Sequence, residues 1–250
     1  MRDDLVRSRL RRLLRGFGWD LCRLSSSTSP DATLVACLRA ACIGTVFDIG
    51  ANEGQFASRI RSAGYRGVIV SFEPLSRPRR RLLSLAAHDD NWLIHPRAAL
   101  GKVNGRIDIN VARNSVSSSV LPILETHTNA ARDSAYIGVE QVPVERLDTV
   151  VEAYTNITSP LFVKIDAQGY ESQVIEGGAR TLEMATGVMC ELSLVPLYSG
   201  QCLWEEMLQR FRDMGFIVWA LQQGFTDART GRSLQVDAVF LRPDAVESHV

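Results

Sequence analysis

Short apolar runs alternate with amphipathic stretches along most of this chain, and that alternation restricts the fold more than any other feature. The runs TVFDIG, GVIVSFEP, WLIHPRAAL, LFVKID, GVMCELSL, FIVWALQ and QVDAVFLR read as strands. Helical spacing predicts helices over Gln55–Ala63, Ser76–Ala87, Val144–Ala153, Tyr170–Met184 and Leu203–Met214. Strands separated by helices imply parallel pairing through crossovers, hence an α/β fold with a mostly parallel sheet covered on its faces. The last two runs are joined only by QGFTDARTGRS, too short and polar for a crossover helix, so the final strand is expected antiparallel to its neighbour. Residues 101–141 break the pattern with an extra strand-like GRIDINVA and a polar NSVSSSV, which reads as an insertion or lid.

With 250 residues, 46% of them hydrophobic, the chain carries one sizeable core, expected over residues 41–250. Residues 1–40 read as an N-terminal basic helical segment, arginines interleaved with Leu10, Leu13, Leu14 and Phe17. A solvated helix against the domain is the plainer reading of that stretch, and contact with an anionic membrane surface is the alternative. It has neither the long apolar stretch of a span nor a cleavage-like site. Twenty-eight basic residues balance 28 acidic ones, so no net field holds a polyanion, and nucleic acid is not an expected partner. The five cysteines lack close metal-ligand spacing and fit reduced thiols in a cytoplasmic protein.

The first strand ends in VFDIGANEGQF, residues 46–56. In an open α/β sheet, ligands bind at the carboxyl ends of strands, where a glycine turn lets backbone approach them. A dinucleotide fingerprint needs a middle glycine to admit pyrophosphate, and Asn52 occupies that place. S-adenosylmethionine has no phosphate: Asp48 would face its ammonium, turn amides its carboxylate, and Glu73, nineteen residues after Gly54, the ribose diol.

These stretches, with VSFEP, VKIDAQGYE, VIEGGA and ELSLVPLY, resemble the motifs of FkbM-type methyltransferases over Thr45 to Pro243. The resemblance implies a class I, Rossmann-like, S-adenosylmethionine-dependent enzyme that often methylates sugar hydroxyls. It also implies a seven-stranded sheet whose last strand inserts antiparallel between the fifth and sixth, and donor contacts at Asp48, Gly50, Gly54 and Glu73; Asn52, inside the same turn, is expected among the donor-binding residues with them. The resemblance leaves the acceptor open; the expected one is a sugar hydroxyl of a glycolipid, polysaccharide or glycosylated natural product. The alternatives are a small non-sugar acceptor, or a module that binds the donor without catalysis.

Methyl transfer to a hydroxyl needs an aligned nucleophile and a group that takes its proton. Asp166 ends the fourth main strand, Glu191 lies near the end of the fifth, and Asp237 starts the antiparallel last one, so the three acids should meet at one sheet edge. They would serve as a catalytic base or hold a divalent ion such as Mg²⁺ or Mn²⁺. Lys164, two residues before Asp166, is expected to pair with it. His127 reads as a surface loop residue, with a base near the substrate as the alternative, and His88, His95 and His249 show no partner pattern. Trp204 and Trp219 read as packing residues, while Tyr170 and Tyr198 would either stack on a sugar or pack. The NSVSSSV hydroxyls suit a polar acceptor or a solvated loop alike.

Overall fold

In a computed structural model, residues 10–19, 25–154 and 160–247 are described; Cys22, His249 and the outermost arginines of the N-terminal segment lie outside them. Seven strands form one sheet in the order β3-β2-β1-β7-β8-β10-β9. They are β1 (Thr45–Ile49), β2 (Val68–Phe72), β3 (Trp92–Ile94), β7 (Leu161–Ile165), β8 (Gly187–Ser193), β9 (Ile217–Gln223) and β10 (Gln235–Leu241). The last strand, β10, runs antiparallel to β9, as the short polar connection requires, and lies between β8 and β9, antiparallel to both, as the resemblance implies. β1 is buried along its whole length and β7 from Phe162 onward, which is why they read as continuous apolar runs rather than alternating ones.

Helix α1 (Pro30–Ala40), capped by Ser29, buries Leu34, Val35, Cys37 and Leu38 against Ile43 and Val46, so part of the N-terminal segment belongs to the core. Helices α2 (Gln55–Ser62) and α3 (Ser76–Ala86) follow β1 and β2. Further helices are α4 (Glu125–Ala130), α5 (Leu147–Val150), α6 (Glu171–Gly177), α7 (Ala179–Met184), α8 (Trp204–Asp213) and α9 (Pro243–Glu247). Among the described residues no helix is long and apolar enough to cross a membrane.

Several expected elements are corrected. WLIHPRAAL splits at Pro96, which has no N–H to give a ladder: β3 stays in the main sheet, and β4 (Ala99–Leu100) joins a second one. That second sheet, ordered β4-β6-β5, is built from β5 (Gly105–Ala112) and β6 (Tyr136–Glu145), so the insertion is largely an antiparallel hairpin. The helix expected over Val144–Ala153 starts only at Leu147, because Val142 and Val144 turn inward from β6 to form a small core with Leu75, Ala99 and Ile109. Tyr170–Met184 is two helices broken at Gly178, where an added Cβ would lie 2.8 Å from the Leu147 side chain. Trp204 and Trp219 are 37% and 42% exposed rather than packed inside.

Candidate active site

The turn after β1 is fixed by its own hydrogen bonds. Gly50 has φ +75°, and a Cβ there would sit 1.8 Å from the Asp166 carbonyl oxygen, so only glycine lets the ends of β1 and β7 approach. Gly50 and Ala51 N–H donate to the Phe72 carbonyl at 3.1 and 3.0 Å. Asn52 N–H donates to Glu73 Oε2 at 2.8 Å, Glu53 N–H to Asn52 Oδ1 at 2.7 Å, and Gly54 N–H to the Ala51 carbonyl at 2.8 Å. Every amide from Gly50 to Gly54 is therefore spent inside the protein, which corrects the expectation that they meet a ligand carboxylate. Gly54, at φ +92°, also starts α2, whose first turn receives no side-chain cap. Gln55 and Phe56 of that turn line the adjoining cavity.

Asp48 lies beneath this turn and does not line the cavity, a second correction. It is fully buried, and Ser71 donates a hydroxyl to its Oδ2 at 3.2 Å, Ser71 itself accepting from Trp92 Nε1 at 2.9 Å. Asp48 pairs in register with Lys164 across β1 and β7. Lys164 Nζ is 3.1 Å from Asp48 Oδ1 and 3.5 Å from Asp166 Oδ2, and donates to the carbonyls of Ile49 (3.1 Å) and Gly50 (3.0 Å). Lys164 is therefore shared between two acids and is nearer Asp48. Burial disfavours its ammonium, but the two carboxylates override this and raise its pKa above the ordinary lysine value.

Glu73 is buried, lines the cavity, and accepts from Leu75 N–H at 2.7 Å through Oε1 as well as from Asn52 through Oε2. Burial lifts its pKa to about 7 against the opposing pull of the two amides.

Asp166, Glu191 and Asp237 line one cavity of about 410 Å³ at the carboxyl edge of β7 and β8, with Asp237 directly opposite Glu191 in the β8–β10 ladder. Sequence reading missed the side chain that joins two of them: Gln168 Nε2 donates to Asp166 Oδ1 at 2.8 Å and to Glu191 Oε2 at 2.9 Å. It also missed Gln235, whose Nε2 donates to Glu191 Oε2 at 2.7 Å; its place two residues before Asp237, on the same strand face, was the available signal. Burial, then the charges of Asp166 and Asp237, push the Glu191 pKa well above the carboxylate range. Asp237 rises to about 6, mainly by burial and by Asp166, with Lys164 opposing. The loop amides after β7 go to Glu171, whose Oε1 accepts from Ala167 N–H at 2.9 Å and Gly169 N–H at 3.0 Å. Among the described residues no three His, Cys, Asp or Glu side chains come together in an arrangement that holds a metal ion.

The insertion covers the cavity. Ser115 donates to Asn52 Oδ1 at 3.2 Å, and Ser119 donates to the Gln168 carbonyl at 2.6 Å, so NSVSSSV ties the covering loop to the sheet edge. His127, expected on the surface, is buried in α4 and lines the cavity, its ring 5.1 Å from both Tyr198 and Phe225. Desolvation lowers its pKa to about 4, and among the described residues its Nδ1 has no hydrogen-bond partner. His95 is also buried, bonded to Tyr154 Oη (2.8 Å) and Glu145 Oε2 (3.1 Å), which corrects its reading as partnerless. Tyr198 is buried and hydrogen-bonded, so it packs; Tyr170 is half-buried and lines the cavity.

A family profile described as Methyltransferase FkbM domain matches residues 48–218. The 2-O-methyltransferase NoeI of Sinorhizobium fredii is 28% identical over 163 residues, covering 62% of this chain and 66% of NoeI, just under two thirds of that relative. Among solved structures, the Methanococcus jannaschii fibrillarin pre-rRNA processing protein is similar at 12% identity and TM-score 0.45, over 86% of this chain and 76% of that one. Aeropyrum pernix fibrillarin in complex with natively bound S-adenosyl-L-methionine is similar at 11% identity and TM-score 0.43, over 82% and 74% of the two chains.

Proposed function

The chain belongs to the FkbM methyltransferase family, and from that premise we propose that it transfers a methyl group from S-adenosylmethionine to a hydroxyl of a sugar-containing acceptor. The carrying observation is that Glu73 and the start of α2 share one cavity with Asp166, Glu191 and Asp237, so donor-binding and proton-accepting groups face the same space. NoeI, a 2-O-methyltransferase, supports transfer to oxygen.

The residues fit the donor. Each Glu73 oxygen accepts one N–H and keeps a further lone pair for a ribose hydroxyl. The uncapped first turn of α2 offers N–H groups and a positive helix end to a carboxylate, which the used amides of Gly50 to Gly54 do not. Leu75, Ala99 and Leu100 give the cavity an apolar wall suited to adenine. When bound, S-adenosylmethionine supplies an electrophilic methyl group on a sulfonium sulfur. The protein's part is to align the acceptor oxygen, exclude water beneath the Ser115–Val120 cover, and receive the hydroxyl proton at the acid edge.

Calorimetry with S-adenosylhomocysteine and NAD tests the donor: heat with the first alone is expected, and comparable binding of NAD overturns the reading. Mass spectrometry of glycolipid extracts from cells with and without the gene tests the acceptor. Loss of methylated sugar species supports it, and an unchanged glycolipid profile with a methylated non-sugar product overturns it.

The exposed Leu13, Phe17 and Trp19 beside the arginines of the N-terminal segment support peripheral contact with an anionic lipid surface, where a glycolipid acceptor would lie. Sedimentation with phosphatidylglycerol vesicles checks it; equal recovery with uncharged vesicles argues against it.

A further inference from the structure

One amide organises the acid edge. Gln168 follows β7 with φ +51°, a left-handed conformation uncommon for a residue with a Cβ, and Ser119 holds its carbonyl at 2.6 Å. The orientation of its side chain is fixed from outside: the Tyr198 hydroxyl lies 2.7 Å from Oε1, closer than its 3.1 Å contact with the Ser117 carbonyl. That contact turns the NH₂ toward the acids, and both its hydrogens are used there, on Asp166 and Glu191. The flipped amide would set its oxygen against the Asp166 carboxylate and lose that bond.

Asp166 is therefore engaged at both oxygens, by Gln168 and by Lys164 at 3.5 Å. Glu191 carries two amide donors on Oε2, from Gln168 and Gln235. Asp237, opposite Glu191 and lining the cavity, has no hydrogen-bond or ion-pair partner among the described residues. The charged groups that face it are Asp166 and Lys164 from β7 and its end, Glu191 from β8, and Arg59 from α2.

We propose that Gln168 is a positioning residue that holds Asp166 and Glu191 as a fixed pair, and that Asp237, the carboxylate left unbonded, takes the acceptor's proton. The proposal rests on the methyltransferase reading. As the acceptor oxygen bonds the methyl carbon, its O–H bond breaks and the proton passes to Asp237, while the electrons of the methyl–sulfur bond stay on sulfur. A carboxylate titrating near 6 is ionised at neutral pH and more basic than an ordinary aspartate, which suits the role.

The test pairs side-chain carboxyl carbon NMR titration of the full chain with S-adenosylhomocysteine release, using a mixed panel of methyl pyranosides as acceptor. Asp237→Asn should retain S-adenosylhomocysteine binding, lose ~10²–10⁴-fold in turnover, and abolish the acidic limb of the pH–rate profile. Asp237→Ser serves as a second variant should the Asn variant not fold. Gln168→Met should move the Glu191 titration while leaving S-adenosylhomocysteine affinity unchanged; Gln168→Asn, too short to span both acids, should not rescue it. Native turnover in Asp237→Asn, or loss of the acidic limb in Asp166→Asn alone, overturns the base assignment. An unmoved Glu191 titration in Gln168→Met overturns the clamp. The titration needs no acceptor, so absence of transfer by the native chain counts against the sugar-acceptor reading and leaves the clamp to the NMR result.

Discussion

Lys164 Nζ stands 3.1 Å from Asp48 Oδ1 between two strands that pair these residues in register, and both side chains are buried. The lysine also ties the Ile49 and Gly50 carbonyls to the end of β7, so it fastens the turn to Asp166. Lys164→Met leaves a buried carboxylate uncompensated, and chemical denaturation should show a loss of ~3–5 kcal/mol. Asp48→Asn together with Lys164→Met should recover part of it; a neutral single variant would contradict the pairing.

Glu73 serves both the turn and the proposed donor site. Glu73→Ala should weaken S-adenosylhomocysteine binding by about 1–3 kcal/mol, measured by calorimetry, because a buried acceptor at the proposed ribose site is removed. Glu73→Gln should cost less, since its oxygen still accepts from one hydroxyl or amide. Unchanged affinity in a folded Ala variant removes Glu73 from the donor site.

Buried titratable groups give opposite pH dependences. Glu171 rises from 4.5 to about 7 on folding, so the folded chain binds more protons between these values and its contribution to stability is lost as pH rises through that window. Glu171→Gln keeps the Oε1 acceptor for Ala167 and Gly169 and should flatten that decline in urea titrations run across the window.

His127 falls from 6.5 to about 4, so the unfolded chain binds more protons there and stability grows with pH across that range. His127→Phe, in a pocket already bordered by Tyr198 and Phe225, should remove this slope. It should also raise stability by ~1–3 kcal/mol at neutral pH, because an unpartnered buried Nδ1 is gone. A destabilised Phe variant would show that the imidazole is satisfied in the folded protein.

Gly50→Ala combines a left-handed backbone with a Cβ 1.8 Å from the Asp166 carbonyl oxygen. It should destabilise by well over the ~1–2 kcal/mol that left-handed backbone alone costs such a residue, read as lost soluble protein or a collapsed melting transition. Gly138→Ala, whose Cβ would meet nothing within 4 Å, is the control and should be near neutral.

By itself the sequence determined the alternation of strand and helix, the antiparallel last strand, and the gathering of Asp166, Glu191 and Asp237 at one edge. The first two follow from local periodicity and connection length, which act over a few residues and are written in the order of side chains; the gathering of the acids also needed the neighbour order of the strands, which came from the resemblance to FkbM-type methyltransferases. Only the tertiary structure decided what each polar group meets. Asp48 and Glu73 look alike as strand-end acids, yet one is sealed under Lys164 and the other opens on the cavity. The glycine turn reads as a ligand cradle, but the amides of Gly50, Ala51 and Asn52 are claimed by Phe72 and Glu73 once β2 is in place. Gln168 and His127 acquire their surroundings from Tyr198, Ser119 and Phe225, up to 98 residues away, and no local pattern records such partners. Periodicity fixes which face of an element a residue occupies; burial and hydrogen-bond completion are settled where separate elements meet, and they decide whether a carboxylate or imidazole is structural or free to act.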